Sequence, residues 1–329
     1  MSRPIVEVDW AGPLFLTRDP AGSTRWRFID QCAAVLSPQA VDVLEEITSA
    51  ASRAEVARAP EEVVLKLNQM REAAVARFRE NTRAAIPRVL PARGASDAST
   101  IACHLRSDLY AVVDAFLPLR SADTLREWVV RLRSHGELSA AQTVSSHRSA
   151  GRGDLMTFVD LYDDARLQPQ EGLRGFLFAL DALVLRLQSI LGGREELGGC
   201  TLKRRECQAT CYPAGSQGYM RHVDDSQGSR RRLLTAILYL NPGWSDSRAK
   251  QTAADVSAGA LRVYPKSRSD DTWGSPNSDD DWRGFDIVPH HNRLALFWSD
   301  QRVPHEVLPL GRADRLAVSI WYGDAMAMR

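Results

Sequence analysis

The segment Gly218-Tyr219-Met220-Arg221-His222-Val223-Asp224-Asp225 sets an imidazole and a carboxylate two positions apart. In an extended strand, residues i and i+2 point to the same side, so His222 and Asp224 can offer a nitrogen and an oxygen to one ion. A His-x-Asp tripeptide alone is weak evidence in a chain with seven histidines. His305, in Val303-Pro304-His305-Glu306-Val307 directly before the last predicted strand, strengthens it as a third ligand candidate. Two histidines and a carboxylate on one face of a metal leave its other face open. That suits iron(II), which must bind a co-substrate and dioxygen together. Closed tetrahedral zinc is the competing reading, disfavoured by the carboxylate and by ligands carried on strands. His290 and His291 are rival third ligands, but they follow Pro289 in a predicted surface turn.

The last predicted strand carries a second chemical feature. In Arg315-Leu-Ala-Val-Ser-Ile-Trp-Tyr322, one face holds Leu316, Val318, Ile320 and Tyr322, and the other Arg315, Ala317, Ser319 and Trp321. An inward arginine needs an anion, because burying it unpaired costs on the order of several kcal/mol. A dicarboxylate co-substrate gripped by the guanidinium fork would supply one; a protein carboxylate is the alternative. Tyr239, in Thr235-Ala-Ile-Leu-Tyr-Leu-Asn241, can donate a second hydrogen bond to the same carboxylate.

Strands must hold these groups, and the sequence predicts them late in the chain: 208–212, 233–240, 260–264, 293–298 and 315–322. A strand over 109–116, a helix capped by Ser121 with Leu125, Trp128, Val129 and Leu132 on one face, and a helix over 173–191 precede them. The first hundred residues read as a helical block, with helices around Val41–Ile47 and over Val63–Phe78, the second ending near Ile86-Pro87. Residues 91–100 read as a linker, 145–153 as a loop or hairpin tip, and 267–282 as a surface loop. The expectation is an α+β chain: an N-terminal helical region over 1–100, then a catalytic domain over 101–329 with helices backing a β-sandwich or open barrel.

These motifs together resemble the prolyl 4-hydroxylase branch of the 2-oxoglutarate oxygenases, specifically the oxygen-sensing enzymes that act on hypoxia-inducible factor. The matching stretches are Cys211–Asp224, Ile237–Asn241, Gly259–Arg262, Arg293-Leu294 with Phe297–Asp300, Pro304–Val307 and Arg315–Tyr322, with Arg152-Gly-Asp154 at the start of a substrate-covering hairpin. The likeness runs from about residue 105 to 324. It implies a double-stranded β-helix (jelly-roll) core, with His222, Asp224 and His305 as iron ligands and Arg315 and Tyr239 on the distal carboxylate of 2-oxoglutarate. It also implies Tyr212, Leu261 and Ser319 in the co-substrate pocket, Trp321 at the prolyl pocket, and Asp154 with Arg232 as a clamp around a bound peptide. The implied reaction couples dioxygen and 2-oxoglutarate to hydroxyproline, succinate and carbon dioxide, with Fe(II) as cofactor and ascorbate as an auxiliary reductant. An oxygenase of the same kind acting on a small molecule or another side chain is the alternative; a catalytically silent binding module is disfavoured by the intact ligand set. The interval from His305 to Arg315 is one residue longer than in the animal enzymes, which makes Arg312 the fallback cation. The connections Trp244–Gly259 and Tyr264–Asp286 are longer too, and the amino-terminal zinc finger of the animal enzymes is replaced by the helical block.

Bulk properties narrow the partners. A net charge of +1 gives no general pull toward nucleic acid or a membrane surface. Five cysteines without a CxxC pair fit a reducing compartment better than a disulfide framework. A monomeric cytoplasmic enzyme, also nuclear in the wider reading, that meets a proline-containing protein substrate is therefore expected.

Overall fold

The computed structural model describes residues 7–10, 12–18, 24–28, 83–85, 87–90, 98–140, 153–161, 171–192, 196–225, 228–244, 258–265 and 283–327. The chain opens with β1 (Glu7–Trp10), β2 (Gly12–Arg18) and β3 (Thr24–Phe28), an antiparallel sheet in which Leu14 pairs with Phe28 and Leu16 with Trp26. Strands thus occur within the first hundred residues, which the sequence reads as a helical block. Apolar residues alternate at period two in Leu14, Leu16 and again in Trp26, Phe28, which is strand grammar. The helices expected over 41–47 and 63–78 lie outside the described residues.

Two short strands ahead of the boundary expected at residue 100 join the later sheets. β4 (Arg83–Ala85) pairs in parallel with β13, and β5 (Val89–Leu90) pairs in parallel with β6. A strand therefore stands just before Ile86-Pro87, where the end of a helix was expected. α1 (Ala98–Ser107) occupies the end of the expected linker, because Ala98, Ile101, Ala102 and Leu105 fall on one buried face.

β6 (Tyr110–Val113) enters the core and leads to α2 (Leu119–Ser134). Pro118 stands at the start of α2 with no side-chain cap, and the Ser121 amide bonds the Pro118 carbonyl, so Ser121 belongs to the first turn instead of capping it. β7 (Ser139–Ala140) and β8 (Leu155–Phe158) follow, then α3 (Glu171–Leu191). The remaining strands are β9 (Leu202–Tyr212), β10 (Tyr219–His222), β11 (Leu234–Tyr239), β12 (Leu261–Val263), β13 (Arg283–Ile287), β14 (Arg293–Trp298), β15 (His305–Val307) and β16 (Arg315–Asp324).

They form two sheets. The major sheet runs β5-β6-β14-β11-β16-β9-β8-β7, and the minor sheet β10-β15-β12-β13-β4. The helices back the major sheet. Leu173, Phe176, Leu180, Leu183, Leu187 and Leu191 of α3 are buried against α1, α2 and β9. Polar pins fix that layer: Tyr322 donates to Asp181 Oδ1 at 2.5 Å, Arg204 donates to Asp181 Oδ2 at 2.9 Å, and the Trp298 indole donates to the Leu105 carbonyl at 2.8 Å. The inner face of the major sheet meets the minor sheet, with Phe297 of β14 against His305 of β15 at 4.6 Å between ring centroids. The two-sheet, helix-backed architecture is the α+β arrangement expected.

Candidate active site

Antiparallel pairing of β10 with β15 sets His222 directly opposite His305. Their imidazole centroids lie 4.3 Å apart. Gly218, just before β10, has φ +80°, and a Cβ there would collide with the Val307 carbonyl oxygen. Only glycine allows β10 to approach β15 this closely. Asp224 follows in the turn after β10. Its neighbour Asp225 holds that turn by accepting from the Ser229 amide at 3.0 Å and the Arg230 amide at 2.8 Å.

Asp224 Oδ1 lies 3.8 Å from His222 Nε2 and 3.7 Å from His305 Nε2. The ligand-type atoms of these three residues all fall within 4.8 Å of one another, the only such metal-holding group among the described residues. Asp224 Oδ2 is occupied from behind: the Thr235 hydroxyl donates at 2.6 Å and the Trp321 indole N–H at 3.0 Å. Burial works to raise the Asp224 carboxyl, but His305, His222, Arg232 and the Thr235 bond outweigh it and bring it to about 2. His305 Nδ1 lies 3.1 Å from the Val303 carbonyl. A carbonyl only accepts, so Nδ1 carries the hydrogen and Nε2 keeps its lone pair for a cation. His291 is engaged elsewhere, at 2.9 Å from Asp123.

A buried ionic layer backs the ligand-bearing strands on their other face. Arg262 donates twice to Asp286, at 2.6 and 2.9 Å, and Tyr264 donates to Glu306 at 2.5 Å.

Deeper along the inner face sits Arg315, only 2% exposed. Strand register pairs it with Tyr212, and its guanidinium carbon lies 5.2 Å from the Tyr212 ring centroid and 4.9 Å from that of Tyr239. Among the described residues no carboxylate pairs with it, and its Nε has no hydrogen-bond partner; neither does the Tyr239 hydroxyl. Burial pushes that phenol up, against the opposing pull of Arg315. Ser319 continues the same face of β16, opposite Ile237 and Gln208, and Leu261 of β12 is buried beside Val307. Arg312, the fallback cation, is exposed. The site residues therefore include a buried cation and a phenol that lack an anion, and two imidazoles and a carboxylate that can hold a metal.

Comparison with known proteins agrees with this geometry. Residues 207–323 match the 2OG-Fe(II) oxygenase superfamily. Over 221 residues the chain is 32% identical to human Prolyl hydroxylase EGLN3, spanning 66% of this chain and 79% of that protein. The chain belongs to the prolyl hydroxylases of the 2OG-Fe(II) oxygenase superfamily. It is also 31% identical to human Egl nine homolog 1 over 217 residues, 65% of this chain and 43% of that protein. The chain thus spans about half the length of the first curated relatives it matches. Among solved structures it resembles a Trichoplax adhaerens prolyl hydroxylase in complex with a hypoxia inducible factor oxygen degradation domain peptide fragment (26% identity, TM-score 0.53, covering 70% of this chain and 91% of that one). A Pseudomonas putida prolyl-4-hydroxylase is similar as well (28%, TM-score 0.51, covering 69% and 98%).

Arg232 does not pair with Asp154 here, a pairing that the sequence reading expects around a bound peptide. Arg232 is paired with Glu206, its Nε donating to Glu206 Oε2 at 3.1 Å and Nη2 approaching the same oxygen more closely. Asp154 sits at the other end of β9, beside Leu155, whose register partner is Cys211. From Glu206 to Cys211 the strand spans roughly 17 Å at ~3.3 Å per residue. Nor is Asp154 at a loop tip: it is 3% exposed, and the Gly153 amide donates to the Gly218 carbonyl at 2.9 Å, tying this segment to the metal-side turn. Residues 145–152 lie outside the described residues.

Thr235, Phe297, Ser299 and Glu206 carry no strong signal of their own in the sequence. Thr235 shares strand parity with Tyr239, which is the signal that could have found it; Ser299 meets it at 2.7 Å.

Proposed function

We propose that this oxygenase is a peptidyl-prolyl 4-hydroxylase that uses Fe(II), 2-oxoglutarate and dioxygen on a prolyl residue of another protein. The observation that carries the reading is a buried Arg315 with no anion, set below a His222, Asp224 and His305 cluster that can hold iron. Two imidazole nitrogens and one carboxylate oxygen fit ferrous iron, and the open side fits a chelating co-substrate. Iron with 2-oxoglutarate bound would supply oxidation of a C–H bond by dioxygen, releasing succinate and carbon dioxide, with ascorbate keeping the metal reduced.

The chain's own residues would do the rest. Arg315 and Tyr239 offer donors to the distal carboxylate, while Tyr212, Leu261 and Ser319 line its pocket. Thr235 and Trp321 hold Asp224 Oδ2, so that Oδ1 is left toward the two imidazoles. The buried flanks of His305 and Asp224 exclude water, which strengthens every charge interaction inside. Trp321 forms the wall for a prolyl ring, with Arg232 at the rim and Asp154 toward the bound peptide. The bound peptide in the Trichoplax structure supports a protein substrate, and the family likeness supports a part in oxygen sensing. We place the enzyme in the cytoplasm or nucleus as a monomer, without nucleic-acid or membrane partners; among the described residues no helix is long and apolar enough to cross a membrane.

The test is incubation of the iron-loaded protein with 2-oxoglutarate, dioxygen and a proteome-derived peptide pool, followed by mass spectrometry. The expected result is a gain of one oxygen on proline at C4, matched by succinate. Succinate release stimulated by a small molecule, with no hydroxyproline in any peptide, would overturn the reading.

A further inference from the structure

We propose that Glu206 is a positioning residue: it holds Arg232 over Trp321 and so steadies the indole N–H that holds the second oxygen of Asp224. Register pairs Glu206 of β9 directly with Trp321 of β16, at the point where the pairing slips before Tyr322. One Glu206 oxygen receives both Nε and Nη2 of Arg232, which ties the guanidinium to β9 by two charge-assisted bonds. The Arg232 guanidinium carbon lies 4.2 Å from the Trp321 ring centroid. Arg231 adds a weaker contact, 3.7 Å from the other Glu206 oxygen. Trp321 also meets the exposed Phe158 ring at 6.5 Å between centroids, too loose a contact to fix the indole alone. Glu206 and Phe158 also line an open groove of about 420 Å³.

The consequence falls on Asp224. Its Oδ2 is held by Thr235 and by Trp321 Nε1, leaving Oδ1 toward the imidazoles. Were the indole to swing away, one of those two bonds would be lost. The carboxylate could then turn both oxygens to the cation and fill a position that the co-substrate needs. Glu206 is the most distant member of this chain of contacts, and nothing else among the described residues pairs with Arg232 in the way it does.

The effect on turnover rests on the hydroxylase reading; the indole geometry does not. The first measurement is therefore free of turnover. Protein labelled with ¹⁵N-tryptophan and loaded with zinc(II) as a diamagnetic probe gives one indole cross-peak per tryptophan, and that of Trp321 is the one missing in Trp321→Phe. In Glu206→Gln this peak should move, and its N–H should exchange with solvent about tenfold faster. Arg232→Ala should reproduce the change, and the double variant should add nothing further. The second measurement is the ratio of succinate to hydroxylated peptide in the iron enzyme, which should rise in Glu206→Gln as co-substrate turnover comes uncoupled. An unchanged Trp321 peak and exchange rate in both Glu206→Gln and Arg232→Ala would overturn the proposal. A wild-type enzyme that hydroxylates no peptide would instead sink the hydroxylase reading and leave the indole result standing.

Discussion

Replacing Arg315 with Met separates stability from co-substrate binding in a way that few other positions allow. The guanidinium is 2% exposed, its Nε lacks a partner, and no carboxylate faces it among the described residues. Without ligand it is a buried cation that costs free energy, so an apolar side chain of similar length should leave the free protein as stable or up to about 2 kcal/mol more stable. With 2-oxoglutarate the balance reverses. Two charge-assisted bonds of roughly 1.5–3 kcal/mol each disappear, which lowers affinity by about two to four powers of ten. Arg315→Lys keeps the charge but loses the fork, so the loss should be closer to about 10–150-fold, the worth of one such bond. The assay is calorimetric titration of 2-oxoglutarate into zinc-loaded protein, alongside thermal melts with and without ligand. The expected pattern is a ligand-induced rise in Tm for wild type, none for Arg315→Met, and equal or higher Tm for the free variant. Undiminished affinity in Arg315→Met, or a larger defect in Arg312→Ala, would refute the assignment of Arg315 as the anion site.

Other outcomes follow from the same geometry. His222→Ala or His305→Ala should weaken iron binding at least about tenfold, measured by titration with ferrous iron under argon. Gly218→Ala forces a Cβ into the Val307 carbonyl at a positive φ, so it should lower stability by more than about 1 kcal/mol and weaken metal binding with it, read by denaturant melts and metal titration. Burial pushes the Cys207 thiol up from 9.0 to about 12. The folded state thus holds that proton more tightly than the unfolded chain: its contribution to stability is complete below about pH 9 and is lost as pH rises toward 12. Alkaline unfolding should accordingly be less steep in Cys207→Ala, and iodoacetamide should label exposed Cys103 while sparing Cys207 in folded protein. A truncated chain starting at Arg83 should melt cooperatively and at a higher temperature than one starting at Thr100, which lacks β4, β5 and the first residues of α1; equal Tm values would show those pairings contribute nothing.

The metal cluster was legible because its signal is local. His222 and Asp224 lie two apart, and His305 precedes a strand whose alternation already marks Arg315, Ser319 and Trp321 as one face. The same parity, applied to β11, would have added Thr235. The N-terminal strands are harder to read, because the long helical stripe of Val63–Phe78 is a stronger signal than the short alternation in Leu14–Phe28. β9 reads too short from the sequence for a similar reason. Lys203-Arg204-Arg205-Glu206 looks like a solvated surface, yet it is strand, and Glu206 turns toward Arg232.

Residue types, strand parity and the choice of chemistry were thus available from the sequence alone, because each depends on neighbours a few positions away. Which partner Arg232 takes, how close His222 comes to His305, and whether Arg315 meets a protein carboxylate were decided only by the tertiary structure. Those outcomes depend on the register of strands far apart in the chain, and a one-residue slip in any of them would exchange the two faces. No local pattern encodes that register; it is set by the simultaneous packing of both sheets and the helices behind them.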